Sequence, residues 1–435
     1  MKFAAVGDML IQRRIPESYE GFEEIRQWLG EADVRYFNLE TTINREGECY
    51  GNVFHGGSYL RANPEILDDC KRFGFNMTTW CNNHALDYCL DGVSKTWDYV
   101  EASGLIHAGA GKNLDQAAAP AYLDTNNGRV ALIGFTSSVN SVYDDMGIAG
   151  RQSRRVAGRP GVNQLRYKTT LVVTPEQMAF IKDIAEQTNV NVGEDIARAE
   201  GYRDPIPEGT FKLGKHVHFE EGPTTCKKTT CNPKDLARLD KAISEAKLFA
   251  DQVIVGIHSH QLDGKSKENI SQFMQEFAHR AIDQGADAVI GHGPHLLRPL
   301  EIYKGKPIFY SLGDFVLHNE NIPYLPEEYY EAQGLTSDAT VREVFTKRSK
   351  NFTRGLQTDR RMFESVIPRW EVVDGKMTKL ELLPITLGFG LPRSRNGNPA
   401  PAADDSILRR LAEMSEPFGT KMEIKNGIAT VILED

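Results

Sequence analysis

The sequence contains no long hydrophobic run and no excess of positive charge. It has nothing close to the roughly 18 consecutive apolar residues that a transmembrane helix requires. Its 51 lysines and arginines are outnumbered by 60 aspartates and glutamates, which gives a formal net charge of −9. Binding to nucleic-acid phosphates needs clustered lysine and arginine, and this composition argues against it. We therefore predict no nucleic-acid partner and no membrane anchor.

Two further absences bear on the compartment. The N-terminus leads directly into a strand-like run at 2–6, without the basic start and apolar stretch of a secretory signal peptide. The six cysteines are scattered through 435 residues, a spacing more typical of reduced thiols than of a disulfide framework. We therefore expect a soluble cytoplasmic protein. Cys226 and Cys231 are interpreted as loop cysteines, because a zinc site would need further ligands that only His216 and His218 could supply.

Short apolar runs alternate with segments of helical periodicity, which is the pattern of an α/β protein. Buried strands are predicted at 2–6, 34–39, 76–80, 130–135, 253–257, 287–291 and 307–312. Helices are predicted at 64–73, 92–103, 175–187, 233–251 and 270–285. We predict a single domain, 1–435, in which the loop-rich segment 140–230 is an insertion that forms a lid or substrate wall. Residues 368–435 are predicted to add a β-hairpin, turning at Asp374-Gly375, and a helix.

Polar or metal-binding side chains follow six of the predicted strands. Along the chain they include Asp8, Asn38, Glu40, Asn83, His84, Asp87, His258, His260, His292, His295 and Asp314. In an open α/β sheet, ligands bind in the crevice beyond the carboxyl ends of the strands, so these residues would meet at one edge. Each has an ordinary explanation when taken singly, such as helix capping by Asp8 or a turn at Asn83. Their common position favours a metal centre.

The residue types indicate the kind of metal and the kind of chemistry. Carboxylates, an amide and several histidines, without cysteine, suit Mn, Zn, Fe or Mg. Two carboxylates can share a pair of divalent ions, which lower the pKa of water so that it becomes a nucleophile near neutral pH. A further histidine beside the ions can protonate the leaving group. We predict one or two divalent metal ions as the cofactor.

Five parts of the sequence match the pattern of one family, and the last of them is long and specific. They are AVGDML at 5–10, FNLET at 37–41, CNNHALD at 81–87, the histidine after VIVGI at 253–257 and the block from GADAVIGHGPH to PIFYSLGDF at 285–315. The sequence resembles the CapA/PgsA family of poly-γ-glutamate capsule synthesis proteins, which is similar to the calcineurin-like metallophosphoesterases. The resemblance covers about residues 1–140 and 250–320. It implies a four-layer α/β/β/α sandwich with the metal site at the carboxyl ends of the strands.

The resemblance also implies a role for each matching residue. Metal ligands are implied at Asp8, Glu40, Asn83, His258, His292 and His295. Glu40 corresponds to the carboxylate that both ions share, and His84 to the proton donor with Asp87 as its orienting partner. Two histidines follow the fourth matching strand, so either His258 or His260 is the ligand there. Residues expected to orient the ligands are Asn38 and Asp314.

Two functions are consistent with these residues. The first is a soluble metal-dependent hydrolase, in which hydroxide held by the metal attacks a phosphoester, amide or γ-glutamyl bond and His84 protonates the leaving group. In this hypothesis Arg61 and Arg298 bind a phosphate or carboxylate of a small-molecule or oligomeric anionic substrate. The second is a non-catalytic accessory protein of poly-γ-glutamate or capsule biosynthesis or export, with a vestigial metal site. It is suggested by Leu10, which stands where the phosphoesterases have a histidine.

A nucleotide-binding function is not supported. The segment GAGKNLD at 109–115 lacks the leading glycine of a phosphate-binding loop and the Ser or Thr after its lysine. We interpret it as an ordinary loop. The sequence makes no prediction of the oligomeric state.

Overall fold

The computed structural model describes residues 1–139, 147–319 and 321–433. Its strands are β1 Lys2–Leu10, β2 Val34–Leu39, β3 Thr42–Ile43, β4 Arg61–Ala62, β5 Met77–Thr79, β6 Ile106–Ala108, β7 Ala110–Gly111, β8 Ala121–Thr125, β9 Gly128–Thr136, β10 Gly161–Val162, β11 Tyr167–Val173, β12 Thr210–Leu213, β13 Val217–Glu221, β14 Cys226–Cys231, β15 Gln252–His258, β16 Ala288–His292, β17 Leu300–Tyr303, β18 Lys306–Phe309, β19 Asp314–Leu317, β20 Glu364–Val373, β21 Lys376–Thr386, β22 Ala400–Pro401, β23 Met422–Lys425 and β24 Ile428–Val431. Its helices are α1 Phe22–Gly30, α2 Ile66–Arg72, α3 Cys89–Ser103, α4 Leu114–Ala118, α5 Pro175–Thr188, α6 Val192–Ala199, α7 Pro233–Phe249, α8 Gln272–Gln284, α9 Glu327–Glu331, α10 Val341–Arg348 and α11 Ser406–Ser415, with short 3₁₀ turns at Leu356–Thr358, Arg360–Phe363 and Glu416–Phe418.

Two large sheets position the predicted site. The first has the strand order β23-β24-β21-β20-β1-β2-β5-β6, with β19 also paired to β1 and β22 to β21. The second has the order β17-β18-β16-β15-β9-β8. The strands β1, β2 and β5 of the first sheet pair in parallel with one another, and so do β9, β15 and β16 of the second. Their carboxyl ends therefore lie along a common edge of each sheet.

The two sheets pack face to face, and helices cover their outer faces. Phe3 and Tyr36 of the first sheet belong to one buried cluster with Leu132, Ile254 and Ile290 of the second. Helices α1, α2 and α3 pack on the other face of the first sheet, and α7 and α8 on the other face of the second. The predicted α/β sandwich class is confirmed. Its assignment to the calcineurin-like type stays a prediction.

The apolar run at the start of the chain follows from this layering. Phe3 and Ala5 of β1 face the core between the sheets, whereas Ala4 and Val6 face the helices. A strand covered on both faces must be apolar at successive positions rather than at alternate ones.

Most predicted elements are present, with ends shifted by a few residues, but one strand was placed wrongly. The predicted strand 307–312 is the short β18, which ends at Phe309. Asp314 then begins β19 instead of following a strand, and it lies opposite Asp8 where β19 pairs in parallel with β1. Gly313, with a φ of 74°, turns the chain between the two strands. Asp8 also lies within its strand, because β1 continues to Leu10.

The segment predicted as an insertion is more ordered than its sequence indicates. Residues 140–146 of the predicted insertion 140–230 lie outside the described residues. The remainder contains a four-stranded sheet, β12-β13-β11-β14, together with α5 and α6. Strand β14, with the sequence CKKTTC, is mostly polar, so its pattern does not resemble a buried strand. The predicted role of this segment as a lid or substrate wall stays a prediction.

The C-terminal hairpin is present and belongs to the main sheet. Strands β20 and β21 are antiparallel and connect through Asp374 and Gly375, both with positive φ, as two-residue hairpin turns require. Strand β20 starts at Glu364, earlier than predicted, and pairs with β1. Helix α11 follows where a helix was expected. None of the helices in the described ranges is both long and apolar enough to cross a bilayer.

Candidate metal centre

Three fully buried carboxylates lie at the common edge of the first sheet. Asp8 and Asp314 come from the paired strands β1 and β19, and Glu40 follows β2. Burial, together with the charges of Asp8 and Asp314, holds the pKa of Glu40 well above its usual value. Burial also raises the pKa of Asp314 to about 6. Like charges buried together are unfavourable, so this arrangement favours a cation among them.

Two histidines converge on Asp8. The Nδ1 atoms of His258 and His292 lie 3.5 Å and 3.7 Å from Asp8 Oδ1, and 3.2 Å from each other. These histidines end the adjacent strands β15 and β16 and are opposite each other in the ladder, so sheet geometry sets them side by side. Burial lowers the pKa of His258 far below its usual value and that of His292 to about 3. Neutral imidazoles are the form that binds metals.

Glu40 lies among histidines on its other side. His258 Nε2 and His260 Nε2 lie 3.7 Å and 4.0 Å from Glu40 Oε1, and His295 Nδ1 lies 3.8 Å from Glu40 Oε2. Within the described part of the chain, both Glu40 oxygens and His258 Nε2 are buried without a hydrogen-bond partner. Buried polar atoms are nearly always satisfied, so these atoms fit the ligands of a divalent ion.

The residues that could hold an ion form three overlapping groups. They are Asp8, His258 and His292; Glu40, His258 and His260; and Asp8, Glu40, His295 and Asp314. His258 faces Asp8 with one ring nitrogen and Glu40 with the other. The sequence left a choice between His258 and His260, and the structure brings both histidines to the site.

His295 reaches the site through a tight turn. Gly293 has a φ of 122°, and His295 itself has a φ of 59°. The Gly293 amide donates a hydrogen bond of 2.7 Å to Asp8 Oδ2, and His295 Nδ1 lies 3.0 Å from Asp314 Oδ1. Burial opposes protonation of His295, but the charge and hydrogen bond of Asp314 outweigh it and raise the pKa. The turn therefore brings His295, the last residue of the GHGPH motif, to the site.

His84 and Asp87 form a hydrogen-bonded pair beside Glu40. His84 Nδ1 lies 2.6 Å from Asp87 Oδ2, and His84 Nε2 lies 3.9 Å from Glu40 Oε1. Two backbone amides, those of Gly56 and Leu60, each donate a hydrogen bond of 2.7 Å to Asp87. Asp87 therefore fixes the imidazole ring and directs its Nε2 atom toward the carboxylates.

The two predicted asparagines also lie at the site. Asn83 Oδ1 is 3.2 Å from His260 Nε2, and Asn83 Nδ2 donates a hydrogen bond to the Gly56 carbonyl at 2.9 Å. Asn38 Nδ2 donates a hydrogen bond of 2.6 Å to Asp8 Oδ1. Asn38 thus orients a candidate ligand, while Asn83 contacts another.

Sequence reasoning missed two residues beneath the site. Tyr36 Oη is 2.8 Å from His292 Nε2 and 2.5 Å from Thr79 Oγ1, and Thr79 in turn donates a hydrogen bond of 3.0 Å to Asn38 Oδ1. These hydroxyls link His292 to Asn38 and fix both side chains. Tyr36 stands two residues before Asn38, on the same face of β2, and this periodicity could have identified it.

Gly56 is the third residue that was missed. A Cβ atom at this position would lie 2.5 Å from two atoms of the His84 ring. Gly56 also contacts Asp87 and Asn83 through its backbone amide and carbonyl. No motif in the sequence marks it, because the contact is made by a loop residue with a distant part of the chain.

A cavity of about 280 Å³ opens above these groups. Its walls include the site histidines His84, His260 and His295 and two basic residues, Lys267 and Arg348. Sequence reasoning did not single out either basic residue.

Arg61 and Arg298, the predicted substrate ligands, are both buried and do not line this cavity in the described part of the chain. Arg61 donates hydrogen bonds to the side chains of Asn44, Asn63 and Tyr324. Arg298 donates hydrogen bonds to the backbone carbonyls of Ser259, Gln261 and Lys267. Burial lowers the pKa of Arg298 to about 10. Arg298 therefore anchors the loop that carries His260, and substrate binding by either arginine stays a prediction.

Comparison with known proteins agrees with the motifs. Residues 2–319 match the family described as bacterial capsule synthesis protein PGA_cap. The chain is 33% identical over 441 residues to the uncharacterized protein y4sH of Sinorhizobium fredii, which covers 99% of this chain and 92% of that protein. It is 27% identical over 298 residues to a probable polyglutamine synthesis accessory protein of Mycobacterium tuberculosis, covering 67% of this chain and 57% of that protein. It is 24% identical over 318 residues to the capsule biosynthesis protein CapA of Bacillus anthracis, covering 72% and 58% respectively. The resemblance drawn from the motifs is confirmed, and the chain belongs to the PGA_cap family of bacterial capsule synthesis proteins.

Proposed function

We propose that this protein is a metal-dependent hydrolase of an anionic substrate. The observation that carries the proposal is a group of three buried carboxylates beneath an open cavity. Within the described residues, both Glu40 oxygens, one Asp314 oxygen and the Nε2 atom of His258 have no hydrogen-bond partner. A carboxylate cluster with only a structural role would be satisfied by hydrogen bonds or by basic side chains. A phosphoester is the first substrate class to test, and an amide or γ-glutamyl bond the second.

The proposed ligands are Asp8, Glu40, His258, His260, His292 and His295, with Asp314 beside His295. One or two divalent ions held there would supply a Lewis acid and a lowered pKa for water. Asn38, Tyr36 and Thr79 would hold Asp8 and His292 in position during the reaction.

His84 is the proposed proton donor. The hydrogen bond between His84 Nδ1 and Asp87 orients the imidazole ring so that its Nε2 atom faces the carboxylates and the cavity. A leaving group would lie in this cavity. Asp87 is held by two backbone amides, so it can stabilise the imidazolium form of His84 without moving. The proton would therefore pass from His84 Nε2 to the departing oxygen or nitrogen.

A second candidate function is that of a non-catalytic accessory protein in capsule or polyglutamate assembly. It is favoured by the names of two relatives, one of them a probable polyglutamine synthesis accessory protein and the other a capsule biosynthesis protein. This role would need the fold and a binding surface but no turnover.

Metal content and turnover together test the proposal. We expect purified protein to contain one or two ions of Mn, Zn, Fe or Mg per chain, and Asp8→Ala and His292→Ala to contain fewer. A screen of phosphomonoesters, phosphodiesters and γ-glutamyl amides should yield a substrate whose turnover falls at least about a hundredfold in His84→Asn, the range for loss of a general acid.

The control is His216→Asn, since His216 is an exposed histidine outside the site, and it should leave metal content and turnover unchanged. Protein that binds no ion after incubation with Mn and Zn would contradict the hydrolase proposal. Unchanged turnover in His84→Asn would contradict the role of His84.

A further inference from the structure

A second, larger cavity adjoins the one above the metal centre. It has a volume of about 500 Å³ and is formed largely by residues 345–362. The two cavities share the lining residues Lys267, Asn319, Arg348 and Leu356. Space is therefore continuous from the candidate metal ligands to the wall formed by α10 and the turns that follow it. This wall lies beyond residue 319, where the family match ends.

The second cavity is positively charged. Lys267, Arg348 and Arg354 line it, against the single carboxylate of Asp359. Asp359 already accepts two hydrogen bonds from Arg361, at 2.7 Å and 3.0 Å. Three basic side chains and one acid that is already paired therefore line this cavity, in a chain whose formal net charge is −9.

Among the described residues, no carboxylate lies within ion-pair distance of Lys267, Arg348 or Arg354. The charge of Lys267 acts on Asp359, but without direct contact. Arg354 donates a hydrogen bond from Nε to the Arg348 backbone carbonyl, which leaves its terminal nitrogens available. The Arg348 guanidinium lies 5.9 Å from the ring centres of Tyr329 and Phe345, so aromatic contacts rather than an acid hold it.

We propose that this cavity is a subsite for a second anionic group of the substrate, a carboxylate or a phosphate. Lys267 and Arg348 line both cavities, so an anionic chain can extend from the metal centre past them to Arg354. Guanidinium groups bind carboxylate and phosphate through paired hydrogen bonds, whereas the lysine contributes a point charge. The inference rests on the proposed function and adds to it that the substrate carries at least two anionic groups and is extended rather than compact.

Equilibrium binding of two probes, tripolyphosphate and pentaglutamate, tests the subsite apart from catalysis. Titration calorimetry in EDTA removes the contribution of any metal ion. We expect at least one probe to bind, and Lys267→Gln, Arg348→Gln and Arg354→Gln each to weaken binding about fivefold to tenfold, the range for a partly exposed charged contact. Preference for one probe identifies the group as phosphate or carboxylate.

The matched control is Arg342→Gln, because Arg342 lies on the same helix as Arg348, is exposed and does not line either cavity. It should bind as the unmodified protein does. Arg348→Lys retains the charge and should weaken binding less than Arg348→Gln, which separates charge from packing. Absence of binding by both probes, or equal loss in Arg342→Gln and the cavity variants, would overturn the proposal.

Failure of the subsite proposal can be distinguished from failure of the hydrolase proposal. If a probe binds through Lys267 and Arg354 but no substrate is hydrolysed, the subsite stands and the hydrolase proposal fails. If a substrate is hydrolysed, the same variants should raise KM with little change in kcat. Unchanged KM in Arg354→Gln for every substrate found would remove the subsite and leave the hydrolase proposal intact.

Discussion

Gly56 leaves no room for a side chain because the imidazole of His84 occupies the space that one would need. An alanine there would force the ring away from Asp87, to which it is hydrogen-bonded at 2.6 Å. We expect Gly56→Ala to lower kcat at least about tenfold, since displacements of about 1 Å of a catalytic group have effects of this order or larger. The measurement is kcat together with metal content, and the metal content should not change.

The control for this prediction is Gly193→Ala. Gly193 lies in α6 away from the site, has no positive φ and has open space around its Cα atom. It should leave kcat unchanged. Full activity of Gly56→Ala would show that the position of His84 does not limit the reaction.

At the scale of the residue, the sequence pointed to side chains that the structure brings together, but not to the residues that support them. Asp8, Glu40 and His292 stand at the ends of apolar runs, where chain pattern alone reveals them. Tyr36 and Gly56 support the site through contacts between distant segments, and no local pattern encodes such contacts. Substrate binding by Arg61 and Arg298 stays a prediction, but both side chains are buried and donate hydrogen bonds within the protein, which the sequence did not indicate.

At the end of β19, His318 connects the strand to the loop before β22. It is fully buried, its amide donates to the Leu10 carbonyl at 2.9 Å, and its Nε2 lies 3.0 Å from Asn398 Oδ1. Burial, with the charge of Arg13, lowers the pKa of His318 to about 3. In the unfolded chain, His318 takes up a proton below about pH 6.5, whereas in the folded protein it stays neutral until the pH nears 3. The free energy of unfolding therefore has its full value above pH 6.5 and decreases as the pH falls toward 3.

We therefore expect His318→Gln to reduce the loss of stability that the folded protein undergoes at low pH. The free energy of unfolding should fall between pH 7.5 and pH 4.5 by about 3 kcal/mol more in the unmodified protein than in the variant. Urea denaturation at both pH values measures this difference. His216→Gln, at an exposed histidine, should follow the unmodified protein. Parallel pH profiles for His318→Gln and the unmodified protein would contradict the argument.

At the scale of the element, apolar strands and amphipathic helices were predictable, whereas polar strands and short strands were not. Helix α8 was identified by its buried apolar stripe and by Gly285, which follows it with a φ of 109°. Strand β14 is stabilised by pairing with β11 and not by burial of alternate residues, so its periodicity is weak. The predicted strand 307–312 ends at Phe309, and the separate strand β19 starts after a turn at Gly313, whose positive φ composition does not specify.

For the molecule as a whole, Glu40 is expected to destabilise the fold when no metal is bound. Its carboxylate is fully buried beside Asp8 and Asp314. We expect Glu40→Gln to have a metal-free melting temperature equal to or above that of the unmodified protein, because folding no longer has to bury a third carboxylate or protonate it. Addition of Mn or Zn should stabilise the unmodified protein but not Glu40→Gln, by about 2.7 kcal/mol when the ion concentration is a hundred times Kd.

Glu301→Gln is the matched control. Glu301 is also a buried carboxylate, but His279 and Tyr310 satisfy it through hydrogen bonds of 2.6 Å to 3.0 Å. This variant should lower the melting temperature and retain the full response to metal. Thermal unfolding with EDTA and then with each ion compares the three proteins. A loss of metal-free stability in Glu40→Gln as large as in Glu301→Gln would contradict the prediction.

The whole-molecule arrangement was only partly accessible from the sequence. The order of strands and helices indicated an α/β sandwich, and the positions of the strand ends indicated one site. The segment 321–363 gave no motif, yet it supplies Arg348 and Arg354 to the second cavity. Its position depends on the aromatic and aliphatic core that it shares with Tyr59 and Leu10, a set of contacts between distant parts of the chain.

The pairing of β1 with strands from both ends of the chain has a consequence for biosynthesis. Strand β2 is available to β1 almost at once, but β19 and β20 leave the ribosome only after most of the chain has been made. At translation rates of roughly 5–20 residues per second, one edge of β1 stays unpaired for many seconds. The nascent chain therefore exposes an apolar strand edge of the kind that pairs with other chains, and it cannot assemble the complete ligand set until Asp314 reaches Asp8.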